Sequence, residues 1–264
     1  MRHKINPILQ LLAIIYHIAI FLPLGIIVTI ILCLLTIIIL PFFGNTHKSN
    51  IPAIIWARTL CALSLVRVKV RGQENIDSKA SYIFVANHQG MFDVITLYAY
   101  VKRNYKWIMK DTLRKVPFMG SACALTEHIF VNRTTPQKDM LRKAINVLKG
   151  GKSLTIFAEG TRCLNGKLGR FKKGAFVIAN MTQKPIIPIT IEGSYDLLPK
   201  GCWCLHWSRV TLTFHEAIEC QGKDSENVEY LMRTTRNVIA KDLGADIEPE
   251  PVKQTETAQT QEKQ

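Results

Sequence analysis

The sequence predicts an α/β domain whose mostly parallel sheet is flanked by helices, with a pair of apolar membrane helices at its amino terminus. Two observations predict this fold. Between residues 66 and 218, short apolar segments of strand length alternate with segments of helical length, which is the pattern of a parallel sheet covered on both faces. Before them, residues 5–43 carry no charged side chain, and this run is nearly twice the ~20 apolar residues that cross a bilayer.

The apolar run has a break near its middle, where Pro23, Leu24 and Gly25 follow one another. Because proline and glycine interrupt helices, the run forms either one long kinked helix or two helices in a hairpin. Basic residues flank it on both sides, namely Arg2, Lys4, Lys48, Arg58, Arg67 and Lys69. The positive-inside rule then places both flanks in the cytoplasm and favours the hairpin. Residues 1–45 are therefore predicted to anchor the protein in an inner or cytoplasmic membrane.

The segments after the anchor are identified by their periodicity. Residues 50–66 read as an amphipathic helix that continues along the membrane surface. VRVKVRG, residues 66–72, alternates as a half-buried strand does, whereas SYIFVA is continuously apolar, as expected of a buried strand. The helix MFDVITLYAYV and the strand HIFVNR follow.

The second half continues the same alternation. Residues 139–151 have apolar side chains at helical spacing, with Asp139 as a candidate N-cap and Gly150 as a candidate stop. The strand SLTIFAEG, the helix KKGAFVIANMT, the strand KPIIPITIEG and the alternating strand RVTLTFHEAI come next. Residues 46–244 are therefore predicted to form one domain. Residues 245–264 are polar and lack aromatic side chains, which predicts a disordered tail.

Charge and cysteine content narrow the function classes. The 34 lysines and arginines exceed the 20 aspartates and glutamates, for a net charge of +14, which implies an anionic partner. The interspersed basic residues form no recognisable nucleic-acid-binding module, so anionic lipid or a phosphorylated substrate is favoured. The 7 cysteines lack disulfide-framework spacing and indicate reduced thiols on a cytosolic face. Cys202 and Cys204 without a second ligand pair make a poor zinc site, so no metal is predicted.

The stretch ANHQGMFD follows the strand SYIFVA and contains His88 and Asp93. Ligands of α/β sheets gather at the carboxyl ends of strands. On one straight helix the two residues would lie about 140° apart, so they meet only if His88 precedes the helix and Asp93 lies in its first turn. Asp93 would then orient His88 as a general base. Since no G-x-S-x-G nucleophile is present, the base would activate a hydroxyl of the substrate.

Further candidates follow other strands. FAEGTR supplies Glu159, Gly160, Thr161 and Arg162, whose backbone N–H groups and guanidinium suit a phosphate. Arg133 ends HIFVNR, and Lys110 lies in KWIMKDTLRKVPFMG. RFKKGA adds a basic cluster that either contacts the same phosphate or forms a solvated charged surface, and it consists of Arg170, Lys172 and Lys173.

Taken together, these stretches resemble the glycerolipid acyltransferases, the PlsC-like lysophosphatidic acid acyltransferase family. NHQGMFD is similar to the N-H-x4-D motif of that family, and IFVNR, FAEGTR and IIPITIEG are similar to its second, third and fourth blocks, in the same order. The resemblance covers about residues 62–218. Ala158 departs from the usual proline of the third block, and Cys163 replaces a common serine.

The resemblance implies a membrane-bound O-acyltransferase with residues 46–244 as its cytoplasmic catalytic domain. His88 would deprotonate the sn-2 hydroxyl of 1-acyl-sn-glycerol 3-phosphate, which attacks an acyl thioester to give phosphatidic acid, and Asp93 would orient His88. The acceptor phosphate would be held by Arg133, Glu159, Gly160, Thr161 and Arg162, with Lys110 and Lys173 as further candidates. No metal or bound cofactor is implied, and the acyl chain would lie in an apolar groove.

Several alternatives stay open at this point. The acceptor could be glycerol 3-phosphate or another lysolipid, and the donor could be acyl-CoA or acyl carrier protein. A non-enzymatic protein that binds anionic lipid is a third hypothesis, against which the His88 and Asp93 pair speaks. The chain-length preference, the oligomeric state and the number of membrane helices are not decided by the sequence.

Overall fold

A computed structural model describes residues 7–44, 50–77, 79–101, 103–132, 138–163, 166–197, 206, 208–222 and 224–249 of the chain. Within these residues, seven strands form one sheet, and they are β1 (Arg67–Arg71), β2 (Ile83–Ala86), β3 (Tyr105–Lys110), β4 (Ile129–Val131), β5 (Ser153–Phe157), β6 (Ile186–Glu192) and β7 (Arg209–Phe214). Their order is β1-β7-β6-β2-β5-β3-β4. All neighbouring strands are parallel except β6 and β7, which confirms the predicted mostly parallel sheet.

The helices of the described residues are α1 (Pro7–Tyr16), α2 (Leu22–Phe43), α3 (Ile51–Leu63), α4 (Phe92–Tyr100), α5 (Met119–Leu125), α6 (Lys138–Lys149), α7 (Gly174–Thr182), α8 (Ser194–Leu197) and α9 (Ser225–Leu243). Two cores lie on opposite faces of the sheet. Phe84 and Ala86 of β2 pack with α3 and α4, and Ile83 and Val85 pack with α6, α7 and α9. Successive side chains of a strand point to opposite faces, so β2 is apolar throughout because both faces are covered.

The predicted hairpin within residues 1–45 is wrong for the residues that the structure describes. α1 and α2 are joined by a π-helical segment, His17–Phe21, and form one continuous helical rod. The Leu22 N–H donates to the carbonyl of His17, five residues back. Pro23 lacks an N–H and its ring crowds the preceding turn, and the wider π turn accommodates it without breaking the helix. One helix of 32 residues, Leu11–Phe42, is long and apolar enough to cross a membrane.

α3 joins this apolar rod to the α/β domain. Trp56 Nε1 donates to Thr29 Oγ1 at 2.9 Å, and the Tyr16 hydroxyl donates to the Leu63 carbonyl at 2.8 Å. Tyr16 ends α1 and Thr29 lies in α2, and their partners on α3 come in the reverse order, so the rod and α3 run antiparallel. α3 also packs on α4. α3, the segment predicted to lie along a membrane surface, is therefore packed between the apolar rod and α4.

The sequence interpretation assigned no secondary structure to β3, α5 or α9. α9 packs against β6 and α7, begins at the N-cap Asp224, whose side chain accepts from Asn227, and ends at Gly244 in the left-handed conformation. After α9 the chain turns back along the helix, and the Asn237 side chain forms two hydrogen bonds with the backbone of Glu248. The rest of the predicted tail, residues 250–264, lies outside the described residues.

A glycine after β6 permits the close approach of β7. Gly193 has φ +84°, and a Cβ added to it would lie 2.1 Å from the Arg209 carbonyl oxygen, whereas Gly151 has φ +75° and open space around it. We expect Gly151→Ala to lower the free energy of unfolding by about 1–2 kcal/mol from the left-handed backbone alone, and Gly193→Ala by roughly 3 kcal/mol or more. Unfolding curves in detergent measure both losses, and equal losses would show that the close contact carries no cost.

Candidate active site

Neighbouring strands of the sheet end side by side, and the residues that follow them form the candidate active site. β2 lies between β5 and β6, with Ala86 level with Phe157 on one side and with Ile189 on the other. β3 continues the sheet beyond β5 in the same direction. Because ligands of α/β sheets bind outside the carboxyl ends of parallel strands, this edge is where bound substrate is expected.

Asn87 extends the pairing of β2 with β6 by one side chain. Its Nδ2 donates to the Ile191 carbonyl and its Oδ1 accepts from the Ile191 N–H, both at 2.8 Å. The amide thus imitates a backbone pair, and it is buried. The next residue, His88, leaves the strand here, and its ring stacks on Phe157 with 3.9 Å between ring centroids and 8° between planes.

His88 and Asp93 meet across the turn that joins β2 to α4. His88 Nδ1 lies 2.7 Å from Asp93 Oδ2, and the same oxygen accepts the N–H groups of Gln89 at 2.6 Å and Gly90 at 2.8 Å. α4 begins at Phe92, so His88 precedes the helix and Asp93 lies in its first turn. This is the arrangement that the spacing of the two residues requires.

The other oxygen of Asp93 is also occupied. Oδ1 accepts the hydroxyl of Ser194, which follows β6, and both Asp93 and Ser194 are fully buried. A carboxylate accepts hydrogen bonds and has none to donate, so the ring proton of neutral His88 is expected on Nδ1, with Nε2 free to accept a proton. The His88 side chain keeps 16% of its surface exposed, which leaves it within reach of a substrate.

His128 is a contrasting histidine in the same domain. Its Nδ1 accepts the Trp107 N–H at 3.2 Å, and its Nε2 lies 2.7 Å from the Tyr98 hydroxyl. Burial, helped by the nearby charge of Lys106, lowers the pKa of His128 to about 3. Both of its ring nitrogens serve the interior of the fold, which is the ordinary structural role of a buried histidine.

Glu159 ties the loop after β5 to the turn that carries His88. Its Oε1 accepts the N–H of His88 and its Oε2 accepts the N–H of Gly169, each at 2.8 Å. Burial raises the pKa of Glu159, and the two N–H groups oppose that rise. The resemblance assigned Glu159 to the acceptor phosphate, but both oxygens face backbone amides, and a carboxylate repels a phosphate. The geometry therefore indicates that Glu159 positions the loops of the site.

Gly160 gives a lysine room to lie along the loop. It has φ +72°, and a Cβ added there would lie 3.1 Å from Cδ, Cε and Nζ of Lys172. Thr161, the next residue, is exposed. Sequence reasoning left the role of Lys172 undecided and named Lys173 instead. Lys173 is directed to α9, where its Nζ lies 3.1 Å from Glu229 Oε1.

Arg162 lies beside the His88 turn. The next residue, Cys163, donates its backbone N–H to the His88 carbonyl at 2.9 Å, so Arg162 is one residue from a direct contact. Arg162 is half-buried, and it forms no ion pair with a carboxylate in the described part of the chain. Its guanidinium is therefore available to an anion from outside. Arg133 falls outside the described residues.

A cavity of about 740 Å³ opens beside the turn that carries His88, because Phe157, on which His88 stacks, lines it. Its wall is mostly apolar, and it includes Ile108, Val131, Met140, Leu141, Ile156, Phe157, Val177 and Ile178. Phe157 is shared with the stack under His88. Lys110, Lys138 and Lys172 also line the cavity, so cations accompany an otherwise apolar space. Among the described residues, no three His, Cys, Asp or Glu side chains are grouped as metal ligands.

Sequence reasoning missed the positioning roles of Asn87, Phe157 and Ser194. Asn87 and Phe157 lie inside motifs that were recognised, but their contacts depend on strands distant in the sequence. Ser194 follows β6, whose end lies next to the end of β2. A polar residue just after a buried strand was therefore an available signal for Ser194, because the same signal identified the residues after β2 and β5.

Comparisons with known proteins agree with this geometry. The model of the family described as Acyltransferase matches residues 67–192. The chain is 32% identical over 193 residues to a chloroplastic 1-acyl-sn-glycerol-3-phosphate acyltransferase of Brassica napus, covering 72% of this chain and 54% of that one. It is 31% identical over 220 residues to a 1-acyl-sn-glycerol-3-phosphate acyltransferase of Saccharomyces cerevisiae, covering 76% of this chain and 71% of that one. The chain thus spans about half the length of the chloroplastic relative.

A solved structure is similar over nearly the whole chain. The crystal structure of the 1-acyl-sn-glycerophosphate acyltransferase PlsC from Thermotoga maritima matches with a TM-score of 0.74 and 26% sequence identity. The match covers 92% of this chain and 99% of that chain. The similarity therefore extends beyond the residues matched by the family model.

Proposed function

Since this chain belongs to the PlsC-like glycerolipid acyltransferase family, we propose that it transfers an acyl group from an acyl thioester to the sn-2 hydroxyl of 1-acyl-sn-glycerol 3-phosphate, giving phosphatidic acid. The observation that carries the proposal is the contact between His88 Nδ1 and Asp93 Oδ2 at 2.7 Å. It leaves Nε2 of His88 as a proton acceptor at the end of the sheet. The names of the relatives support the choice of acceptor.

In the proposed reaction, His88 Nε2 takes the proton of the sn-2 hydroxyl as its oxygen attacks the thioester carbonyl carbon. A C–O bond forms, the C–S bond breaks, and the thiolate leaves with the proton that His88 had taken. Asp93 stabilises the protonated imidazole between these steps. Asn87, Ser194 and Glu159 hold the pair in place through buried contacts, so little reorganisation accompanies the proton transfer.

The acceptor phosphate is proposed to bind beside the loop after β5. Arg162 supplies a guanidinium next to the His88 turn, and Lys110 and Lys172 line the adjoining cavity. Arginine binds phosphate through two parallel hydrogen bonds, while lysine acts as a point charge. Arg133 lies outside the described residues and remains a contributor predicted from the motif IFVNR alone.

The acyl chain is proposed to lie in the apolar cavity of about 740 Å³, which is in the size range of small-molecule sites. Both acyl-CoA and acyl carrier protein remain proposed donors. The helix Leu11–Phe42 is proposed to anchor the protein in a membrane with the catalytic domain on the cytoplasmic side. Most of its large apolar side chains are exposed to the surroundings, as expected of a helix in lipid.

The full-length protein, purified in detergent, tests the proposal directly. It is incubated with glycerol 3-phosphate or one of several lysophospholipids, each with acyl-CoA or acyl carrier protein as donor, and products are identified by mass. We expect phosphatidic acid from 1-acyl-sn-glycerol 3-phosphate, and none with the His88→Ala protein under the same conditions. Product from another acceptor alone would overturn the proposed substrate. No product from any combination would contradict the enzymatic function.

Arg162→Ala is expected to raise the KM for the lysophospholipid about tenfold or more, because a charge-assisted bond to phosphate is worth roughly 1.5–3 kcal/mol. The KM for the acyl thioester should change little. Steady-state kinetics with each substrate varied in turn measures the difference. Arg71→Ala is a matched control, because Arg71 is an exposed arginine on β1 at the other side of the sheet. Equal increases in both KM values for Arg162→Ala would indicate a structural role.

A further inference from the structure

The segment between β3 and α5 forms a tight turn on the surface, here called the 113–118 turn. It includes the last three residues of a 3-10 turn, Asp111–Lys115. Hydrogen bonds close it from the N–H of Val116 to the Leu113 carbonyl at 3.2 Å and from the N–H of Gly120 to the Val116 carbonyl at 2.8 Å. A Cβ added to Gly120 would lie 2.0 Å from the Arg114 carbonyl oxygen. The turn is therefore closely packed against its own backbone.

The turn presents apolar side chains to the outside. Leu113 and Val116 are each 38% exposed and Phe118 is 43% exposed. Phe118 has φ +60°, a backbone conformation that is unfavourable for a bulky side chain. Phe118 is therefore strained and still leaves 43% of its surface uncovered, which indicates an apolar partner outside the chain.

Basic residues alternate with these apolar ones. Arg114 and Lys115 lie between Leu113 and Val116 and are exposed, and the Arg114 guanidinium lies 4.5 Å above the ring of Phe130. Its ion pair with Asp111 is long, at 3.5 Å, and leaves about half of the Arg114 side chain exposed. Apolar side chains mixed with cations are typical of surfaces that lie at the boundary between lipid tails and anionic headgroups.

The position of the turn connects the apolar rod with the cavity. α5, which follows the turn, packs against α2, the main part of the candidate membrane helix. Lys110, which precedes the 3-10 turn, lines the cavity beside the active site. The turn is therefore linked through the chain to the helix on one side and to the cavity on the other.

We propose that the 113–118 turn is a second membrane contact, which inserts Leu113, Val116 and Phe118 into a leaflet while Arg114 and Lys115 bind anionic phospholipid headgroups. The proposal rests on the proposed membrane anchoring. In this proposal, the turn holds the edge of the cavity against the leaflet that contains the acceptor lipid. The contact is with lipid and not with a second copy of the chain. The exposed cations beside the apolar residues match anionic headgroups, whereas the same cations on a second copy would repel them.

Photo-crosslinking to lipid tests the contact without using activity. The full-length protein is reconstituted as single copies in nanodiscs that contain phosphatidylcholine, with or without phosphatidylglycerol, and a trace of phospholipid with a diazirine in its acyl chain. Mass spectrometry then locates the labelled residues. We expect labelling of the 113–118 turn, and none at Met181, an apolar side chain of α7 that is 56% exposed. Labelling of the turn no stronger than that of Met181 would overturn the proposal.

Two variants distinguish binding to anionic headgroups from insertion of apolar side chains. Lys115→Glu should lower labelling of the turn by about fivefold or more in phosphatidylglycerol nanodiscs, since each basic residue near an anionic surface contributes about that factor, and should change it little in phosphatidylcholine alone. Phe118→Ser should lower it in both, and retained thermal stability shows that each variant is folded. Equal labelling with and without phosphatidylglycerol, or protection of the turn by dimerisation in detergent, would contradict the assignment. Because labelling needs no turnover, a failed acyltransferase assay leaves this result independent.

Discussion

His88→Ala is expected to lower kcat by about 10²–10⁴-fold, the usual contribution of a general base. The ring of His88 stacks on Phe157 and contacts Asp93, but only Nε2 is positioned to accept a proton from substrate, and alanine removes it. Turnover with 1-acyl-sn-glycerol 3-phosphate at saturating thioester measures the loss. The KM values should change far less, because no proposed phosphate contact is removed.

The control for this variant distinguishes chemistry from packing. His88→Gln keeps a side chain that donates to Asp93 and fills much of the space, but it has no basic nitrogen. We expect His88→Gln to be as inactive as His88→Ala, with both proteins unfolding close to the wild-type temperature. Recovery of turnover in the glutamine variant would contradict the mechanism. Activity of His88→Ala within about threefold of wild type would also contradict it, because a general base contributes far more than that.

Asp93→Asn should lower kcat by roughly 10²-fold or more, approaching the ~10⁴-fold loss known for a triad aspartate in a serine protease. The carboxylate accepts His88, Gln89 and Gly90 on one oxygen and Ser194 on the other. In asparagine one of these oxygens becomes a donor. The residue retains an acceptor for His88 only if the amide nitrogen turns toward Ser194, whose hydroxyl can accept. The orientation of the ring survives in that case, but the negative charge that stabilises the imidazolium is lost.

Ser194→Ala is the matched comparison for Asp93→Asn, because it removes one contact of Asp93 and keeps the charge. A smaller loss in kcat is expected, about tenfold, equivalent to one hydrogen bond of roughly 1.5 kcal/mol. Steady-state kinetics of the three proteins tests whether kcat falls in the order wild type, Ser194→Ala, Asp93→Asn. If Ser194→Ala were as damaging as Asp93→Asn, the position of the carboxylate and not its charge would be the main contribution.

The sequence alone determined those features that are local. The strands at residues 67–71 and 83–86 and the helix at 92–100 follow from periodicity within each segment, because side chains repeat with the geometry of the element that carries them. His88 and Asp93 are only five residues apart. Their contact could therefore be deduced from the geometry of one turn, and the order of the motifs led to the family.

Of the three elements that the sequence interpretation left unassigned, β3 and α9 were missed because tertiary packing overrode the local pattern. β3, YKWIMK, has a lysine at a fully buried position, Lys106, where an apolar residue is the normal signal of a strand. The buried face of α9 includes the polar residues Asn227 and Thr235. Pro23 left either a long helix or a hairpin open, and the basic residues on both flanks favoured the hairpin. The chain instead accommodates Pro23 after a π turn, His17–Phe21, which depends on local backbone geometry that the flanking charges do not determine.

Only the tertiary structure decided which distant side chains support the catalytic pair. Ser194 reaches Asp93 across 101 residues, and Glu159 reaches the N–H of His88 across 71. These contacts exist because the register of β2 with β5 and β6 brings the strand ends level. Register is set by the packing of both faces of the sheet, and that is a property of the whole fold that no single segment of the sequence contains.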